Sequence, residues 1–212
     1  MTYPNQLDPT MTTTAITLHG TALSGHTHRV QLLLHMLQLP YRFIDAPASV
    51  RQSEAFRGIN PLGQIPVLQD GELVLADSNA ILVYLAKRYA PGSGWLPEDP
   101  VGAAQVQRWL SLAAGEIAFG PAKARVTARW GDTGMPQELM HKLADKVLGF
   151  MEAQLARQDF LAGPAPTLAD LACYSYVAHA PEGGVSLAPY PQLRAWIARV
   201  QSLPHFVPMP ED

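Results

Sequence analysis

The chain has 212 residues, 48% apolar and 16% charged, against about 25% charged in an average globular protein, which excludes a disordered or supercharged polymer. That length buries a real core and suits one large or two small domains. With 15 Lys plus Arg against 18 Asp plus Glu, the formal net charge of -3 provides no basic footprint for nucleic acid.

A lone cysteine, Cys173, excludes an internal disulfide framework and a thiolate-rich metal site built from this chain, and fits a reducing cytoplasm. No apolar run approaches the ~18 residues of a spanning helix, so no membrane is expected as a partner. Residues 1–13, MTYPNQLDPTMTT, lack the basic and apolar regions of a signal peptide and read as a polar extension.

From Ala15 the segment AITL is a short strand, and Val30, Leu33, Leu34 and Leu37 then recur at helical spacing, with Pro40 ending that helix. YRFID (41–45) reads as a second strand, followed by one helical turn near Ser53 to Arg57. Two strands over Ile65 to Leu68 and Glu72 to Leu75 join through Asp70-Gly71, a tight hairpin signal. A helix over Ser78 to Tyr89 completes a small α/β unit, residues 14–90.

The segment APGSGWLPEDP (90–100) is a proline- and glycine-rich connection, with the linker proper placed at 91–100. Residues 101–212 are all helical in pattern. Val106, Trp109, Leu110, Ala113 and Ile117 mark one face, and Leu139, Leu143, Val147 and Phe150 a second. Leu193, Trp196, Ile197, Val200 and Leu203 mark a third. Thr167 and Asp170 form a capping box that starts a further helix near Leu168 and has a structural role.

Taken residue by residue, the chemistry-bearing positions have ordinary readings. Ile65-Pro66 is a trans proline opening an edge strand, since only about 5% of such bonds are cis. Asp77-Ser78 is an acidic first turn with a serine cap, and Ser24 caps the helix starting near His26. The histidines are scattered, His26 and His28 point to different faces of one helix, and no metal site is expected. Cys173, among Leu171, Ala172 and Tyr174, reads as a buried, inert thiol.

Three stretches, NPLGQIPVL (60–68), ADSNAILVYL (76–85) and PTLADLACY (166–174), together resemble the cytosolic glutathione transferase superfamily, over roughly residues 15 to 208. SGHTHRV (24–30) looks most like bacterial members and the serine-using classes. The resemblance implies a thioredoxin-like α/β domain followed by an all-α domain, a homodimer, a detoxifying role in the cytoplasm, and glutathione as co-substrate. It implies a cis Pro66, with the Ile65 backbone pairing with the cysteinyl part of glutathione like an added strand. Gln64 would meet the peptide backbone, Asp77 the ammonium and Ser78 the carboxylate of the γ-glutamyl group, the latter at a helix N-terminus. Arg51, or else Gln52, would meet the glycine carboxylate.

Within this resemblance Ser24 would donate a hydrogen bond to the glutathione sulfur beside a helix N-terminus, lowering a thiol pKa otherwise near ~8.5. Capping and activation are compatible roles for it. His26 stands where bacterial relatives often have asparagine and some serine-using classes cysteine. As imidazole it would donate to the thiolate, and as imidazolium it would give an activity falling through pH ~6.5. An exposed polar residue of the first turn is the alternative, and Thr21 is a further hydroxyl in the loop. The second substrate would sit between the domains against Leu23 and the stretch from Ala113 to Arg125, where Glu116, Phe119 and Lys123 offer an acid, an aromatic and a base. With no cysteine at the Ser24 or His26 position, no mixed disulfide forms there. A glutathione-dependent isomerase, dehalogenase or disulfide or peroxide reductase would use the same first half, and a non-catalytic binding protein would use the same fold.

Overall fold

The computed structural model describes residues 16–210, so the expected polar extension lies outside them. Strand β1 (Ile16–Gly20) and strand β2 (Tyr41–Asp45) pair in parallel, Ile16 opposite Tyr41 and Gly20 opposite Asp45. A parallel pair requires a crossover, supplied by helix α1 (Gly25–Met36). That helix stops short of Pro40. Gln38 turns left-handed at φ 53, and the N–H groups of Gln38 and Leu39 return to the carbonyls of His35 and Leu34, which satisfies the helix end before the proline is reached.

Two short helices follow, α2 (Ala48–Arg51) and α3 (Glu54–Ile59). The sequence pattern shows only the second, whose cap Ser53 accepts from the Phe56 N–H at 3.2 Å. Strand β3 (Val67–Asp70) runs antiparallel to β1 and to β4 (Leu73–Ala76), giving the order β2-β1-β3-β4. The hairpin lies one residue later than the Asp70-Gly71 signal suggests: Asp70 pairs with Leu73, and Gly71 at φ 60 and Glu72 make the turn. Asp70 instead ties the hairpin to helix α4 (Ser78–Tyr89), accepting hydrogen bonds from the Tyr84 and Tyr89 hydroxyls at 2.7 and 2.5 Å.

The second half contains helix α5 (Pro100–Ala114), a π-helical segment (Ala118–Ala122) and helix α6 (Lys123–Trp130). Helix α7 (Gln137–Leu155), helix α8 (Leu168–Ala178), a 3-10 turn (Ala180–Gly183) and helix α9 (Pro191–Gln201) follow. The face read from Val106 to Ile117 is broken at Gly115, although Ile117 is still buried. On α7 the buried stripe is Met140, Ala144, Val147, Leu148, Met151 and Leu155. Leu139, expected inside, is 43% exposed. Periodicity shows that α7 is a helix, whereas its rotation follows from packing on the π-helical segment and α9.

Helix α8 is buried along its whole course from Leu168 to Val177 and packs on α1, α4, α5 and α9. A helix that has no solvated face, its polar Asp170 and Ser175 being hydrogen-bonded inside, belongs in an interior. One cluster of buried apolar residues therefore runs through both halves, from Leu18 and Leu33 past Trp109 and Leu148 to Trp196. The capping box at its start is formed: Thr167 Oγ1 accepts from the Ala169 N–H at 3.3 Å and the Asp170 carboxylate accepts from the Thr167 N–H at 2.9 Å. Asp170 also accepts from the Leu161 N–H at 2.9 Å and from Trp196 Nε1 at 2.8 Å.

Asp170 is fully buried, so D170A strands several donors at once. Losing such a network costs roughly 3–5 kcal/mol. The expected result is a urea midpoint lowered accordingly at unchanged slope; a loss under 1 kcal/mol would refute the assignment.

Candidate active site

Strand register brings the separate motifs together. His19 pairs with Val67, and Val67 pairs with Ala76. Pro66 is therefore level with Gly20 on one side and Asp77 on the other. The loop leaving β1, the Ile65-Pro66 peptide and the start of α4 meet at one end of the sheet. The Ile65-Pro66 bond is cis, as the resemblance implies. Asn60, which is buried, shapes the approach to it by donating to the Gln64 carbonyl at 2.8 Å and accepting from the Leu62 N–H at 3.2 Å. The Gln64 side chain is left exposed.

Ser24 has extended backbone and caps α1, its Oγ accepting from the Thr27 N–H at 3.3 Å. Accepting there leaves the hydroxyl a proton to donate, and the Tyr176 hydroxyl is the acceptor within its reach. The preceding residue, Leu23, is anchored from the other half of the molecule: the buried Arg125 of α6 donates through Nη1 to the Leu23 carbonyl at 2.8 Å. Arg125 Nε in turn donates to Glu182 at 2.8 Å, and Arg129 reaches the same carboxylate at 2.8 Å. Gly25 lies under the Tyr176 ring, where a Cβ would come within 2.7 Å of a ring carbon, so no larger residue fits without displacing α8. The Tyr176 hydroxyl sits against the Ser24 side chain and the His26 N–H, and burial raises its pKa, keeping it a phenol.

At the start of α4 the cap is Asp77, one residue earlier than the sequence suggests. Its carboxylate accepts from the N–H groups of Asn79 at 3.0 Å and Ala80 at 2.9 Å, and its φ of 73 is rare for a residue with a side chain. Such a conformation costs about 1–3 kcal/mol and is held only where its surroundings demand it. Ser78 is thereby the first helical residue and is buried, its Oγ 3.3 Å from His26 Nδ1 and 3.2 Å from Arg29 Nη1. Arg29 Nη1 also donates to Asn79 Oδ1 at 2.9 Å, and Asn79 Nδ2 donates to the Leu110 carbonyl of α5 at 3.0 Å.

His26 faces Ser78 and packs edge-on against Tyr176 at 4.9 Å. Burial, and then the Arg29 charge, push its pKa down to about 3. The imidazolium expected as one alternative is therefore replaced by a neutral ring at physiological pH. His28 is structural: its ring nitrogens lie 2.9 Å from Ser175 Oγ and 2.9 Å from the Val207 carbonyl, and burial lowers its pKa to about 4.

Ser24, His26 and Ser78 thus form one patch together with Tyr176, Arg29 and Asn79, which the sequence reading missed. Arg29 lies inside the SGHTHRV stretch but its burial could not be read there, and Tyr176 is far along the chain. Arg51 borders the Gln64 loop, its carbonyl packed 3.1 Å from where a Cβ on Gly63 would stand. The charged contact of Glu116 is Lys146 of α7, 3.8 Å away across a groove between α5 and α7, and Phe119 is 52% exposed on the π-helical segment. Cys173 is buried, with its thiol pKa raised by burial. Among the described residues no group of three or more His, Cys, Asp or Glu could hold a metal ion, and no helix is long and apolar enough to cross a membrane.

A four-stranded thioredoxin-like sheet with a cis proline at one end, followed by a helical domain, defines the architecture of glutathione-dependent transferases. The family descriptions "Glutathione S-transferase, N-terminal domain" and "Glutathione S-transferase, C-terminal domain" match residues 18–93 and 132–204. Glutathione S-transferase theta-2 of Mus musculus is 33% identical over 190 residues, 85% of this chain and 78% of its own. The crystal structure of a glutathione S-transferase from Pseudomonas fluorescens superposes with a TM-score of 0.85 at 36% identity, over 93% of this chain and 100% of that one. A glutathione transferase homolog from Drosophila mojavensis with bound glutathione gives 0.80 at 31%, over 90% and 89%. The chain belongs to the glutathione S-transferase family and is a glutathione transferase enzyme.

The lowered histidine pKa values set a pH window for stability. His26 and His28 titrate at about 3 and about 4 when folded, against 6.5 unfolded, so between these values the unfolded chain binds more protons. Their contribution is complete above pH 6.5 and is lost as the pH falls toward 4, by up to about 1.4 kcal/mol per pH unit for each histidine. Urea unfolding at pH 7, 6 and 5 measures this slope, and H28Q should flatten it; an unchanged slope in H28Q would contradict the assignment.

Proposed function

We propose that this enzyme is of the serine-using type: Ser24 stabilises the thiolate of glutathione, which attacks an electrophilic carbon of a small second substrate. The observation that carries this reading is the placement of the Ser24 hydroxyl at the positive end of α1, accepting from the Thr27 N–H and within reach of the Tyr176 hydroxyl, which the glutathione thiolate would replace as its acceptor. Neutral His26 supports the carboxylate end of glutathione through its contact with Ser78 and adds no charge to the sulfur. Ile65 precedes the first paired residue of β3, Val67, and so offers its backbone to the cysteinyl part of glutathione as an added strand would. Gln64 takes the peptide backbone, Asp77 and Ser78 the γ-glutamyl group, and Arg51 the glycine carboxylate. Leu23 forms one wall for the electrophile, with Phe119 contributing from the helical half, whereas Glu116, expected in that wall, lines the groove between α5 and α7 instead.

The thiol proton leaves to solvent when glutathione binds, the sulfur lone pair forms the new carbon–sulfur bond, and the leaving group departs with its electron pair. Binding supplies proximity, and the hydroxyl and helix end supply electrostatic stabilisation. S24A should lower kcat with chlorodinitrobenzene by ~10² while glutathione affinity changes only a few-fold, as for loss of one donor to a developing charge. Steady-state kinetics and calorimetry measure the two effects. Retained kcat would move the activating role to Thr21 or His26.

For this enzyme, expected in the cytoplasm, a homodimer is supported by two surfaces. Leu62 protrudes beside Gln64 and is 76% exposed, while the groove between α5 and α7 has a volume of about 540 Å³ and is lined by Leu112, Val147 and Phe150 with Arg108 and Lys146 at its rim. A two-fold arrangement places each Leu62 against the other copy's groove. L62E should shift sedimentation from dimer toward monomer at micromolar concentration; an unchanged dimer would place the interface elsewhere.

A further inference from the structure

Arg29 is a buried cation without an anion. Arg29 is 1% exposed, and among the described residues its only hydrogen bonds, both through Nη1, go to the neutral partners Ser78 Oγ and Asn79 Oδ1, leaving Nε and Nη2 without partners there. The Tyr176 ring lies 5.8 Å from the guanidinium carbon, and the buried Cys173 thiol, uncharged because burial raises its pKa, is a further neighbour. No ion pair involves it among the described residues, and His26 beside it is neutral. Asp77 is close enough to act on it electrostatically, but its carboxylate is turned onto the Asn79 and Ala80 N–H groups.

A guanidinium stays protonated even when buried, and a buried charge with no counter-ion is costly. The protein therefore carries a destabilising positive charge directly beneath Ser78 and the N-terminus of α4, whose own partial charge is also positive. Both favour an anion at the same point. Packing has not removed this charge: Ser78 and Asn79 orient the guanidinium, and Asn79 is itself held by the Leu110 carbonyl of α5.

We propose that Arg29 is a positioning residue whose counter-ion is the α-carboxylate of the γ-glutamyl group of glutathione, felt through Ser78 and Asn79. Arg29 does not touch the ligand. It makes the start of α4 select an anion, and the ligand relieves the charge that the folded chain leaves unpaired. The inference rests on the glutathione-binding reading of Asp77-Ser78 above and adds to it a charge requirement with a residue to carry it.

The test compares glutathione with γ-aminobutyryl-cysteinylglycine, which lacks only that carboxylate. Calorimetry of the wild-type protein should show glutathione bound about 100-fold more tightly. In R29M this preference should shrink to a few-fold, through loss of glutathione affinity alone, while the affinity for the analogue stays within two-fold. R29K, which keeps a charge, should retain part of the preference. The melting temperature of ligand-free R29M should equal or exceed that of wild type, because an unpaired buried charge has been removed. A purely structural arginine would move the other way: a markedly lower melting temperature, or equal loss of affinity for both ligands, overturns the proposal. Wild-type protein that binds both ligands equally overturns it as well, whereas wild-type protein that binds neither removes the underlying reading of the site.

Discussion

The placement of α8 through the centre of the molecule is the constraint on which the rest of the structure depends. Its residues from Leu168 to Val177 are all buried, so the sheet-side helices α1 and α4 and the first helix of the helical half, α5, must close around it. Its position along its own axis is set at one end by the capping box and by Asp170, which gathers the Thr167, Leu161 and Trp196 donors. At the other end Tyr176 settles onto Gly25, the first residue of α1. The helix that joins the two halves into one core thus also supplies the roof over Ser24.

This arrangement makes the loop leaving β1 a junction between the two halves. Leu23 is held by Arg125 of α6 and Ser24 is covered by Tyr176 of α8, although both belong to the segment leaving β1. The Arg125 bonds to Leu23 and Glu182 are made largely out of water, where charge-assisted hydrogen bonds are strongest. The role proposed for Ser24 requires a donor held to within fractions of an ångström, and contacts from two domains hold it more firmly than a loop could alone.

Charge is distributed sparingly in the site. Two helix N-termini, α1 and α4, point into it, His26 is kept neutral, and Arg29 lies below the start of α4. All of these either favour anions or avoid competing for them, which suits a ligand carrying carboxylates at both ends and a thiolate between them. The strain at Asp77 belongs to the same logic. Its positive φ turns the chain sharply from β4 into α4, so that Ser78 opens the helix facing His26 and Arg29.

The amino-acid sequence by itself determined the order of the four strands and of α1, α3, α4, α5, α7, α8 and α9, the two-part organisation and the motifs Ile65-Pro66, Asp77-Ser78 and Thr167 with Asp170. All of these are written in local pattern: turn residues, apolar spacing and caps act over a few positions. β2 and α4 agree with that pattern to the residue. Only the tertiary structure decided which face of α7 is buried, that Asp77 rather than Ser78 caps α4, that the His26 imidazole is neutral, and that Arg125, Tyr176 and Arg29 belong to the site. Each of these depends on groups distant in sequence: His26 is discharged by burial under α8 and by Arg29, and Leu23 is anchored from a residue 102 positions away. Local propensity carries no record of such neighbours, because burial and electrostatic field arise only when the two halves close around α8.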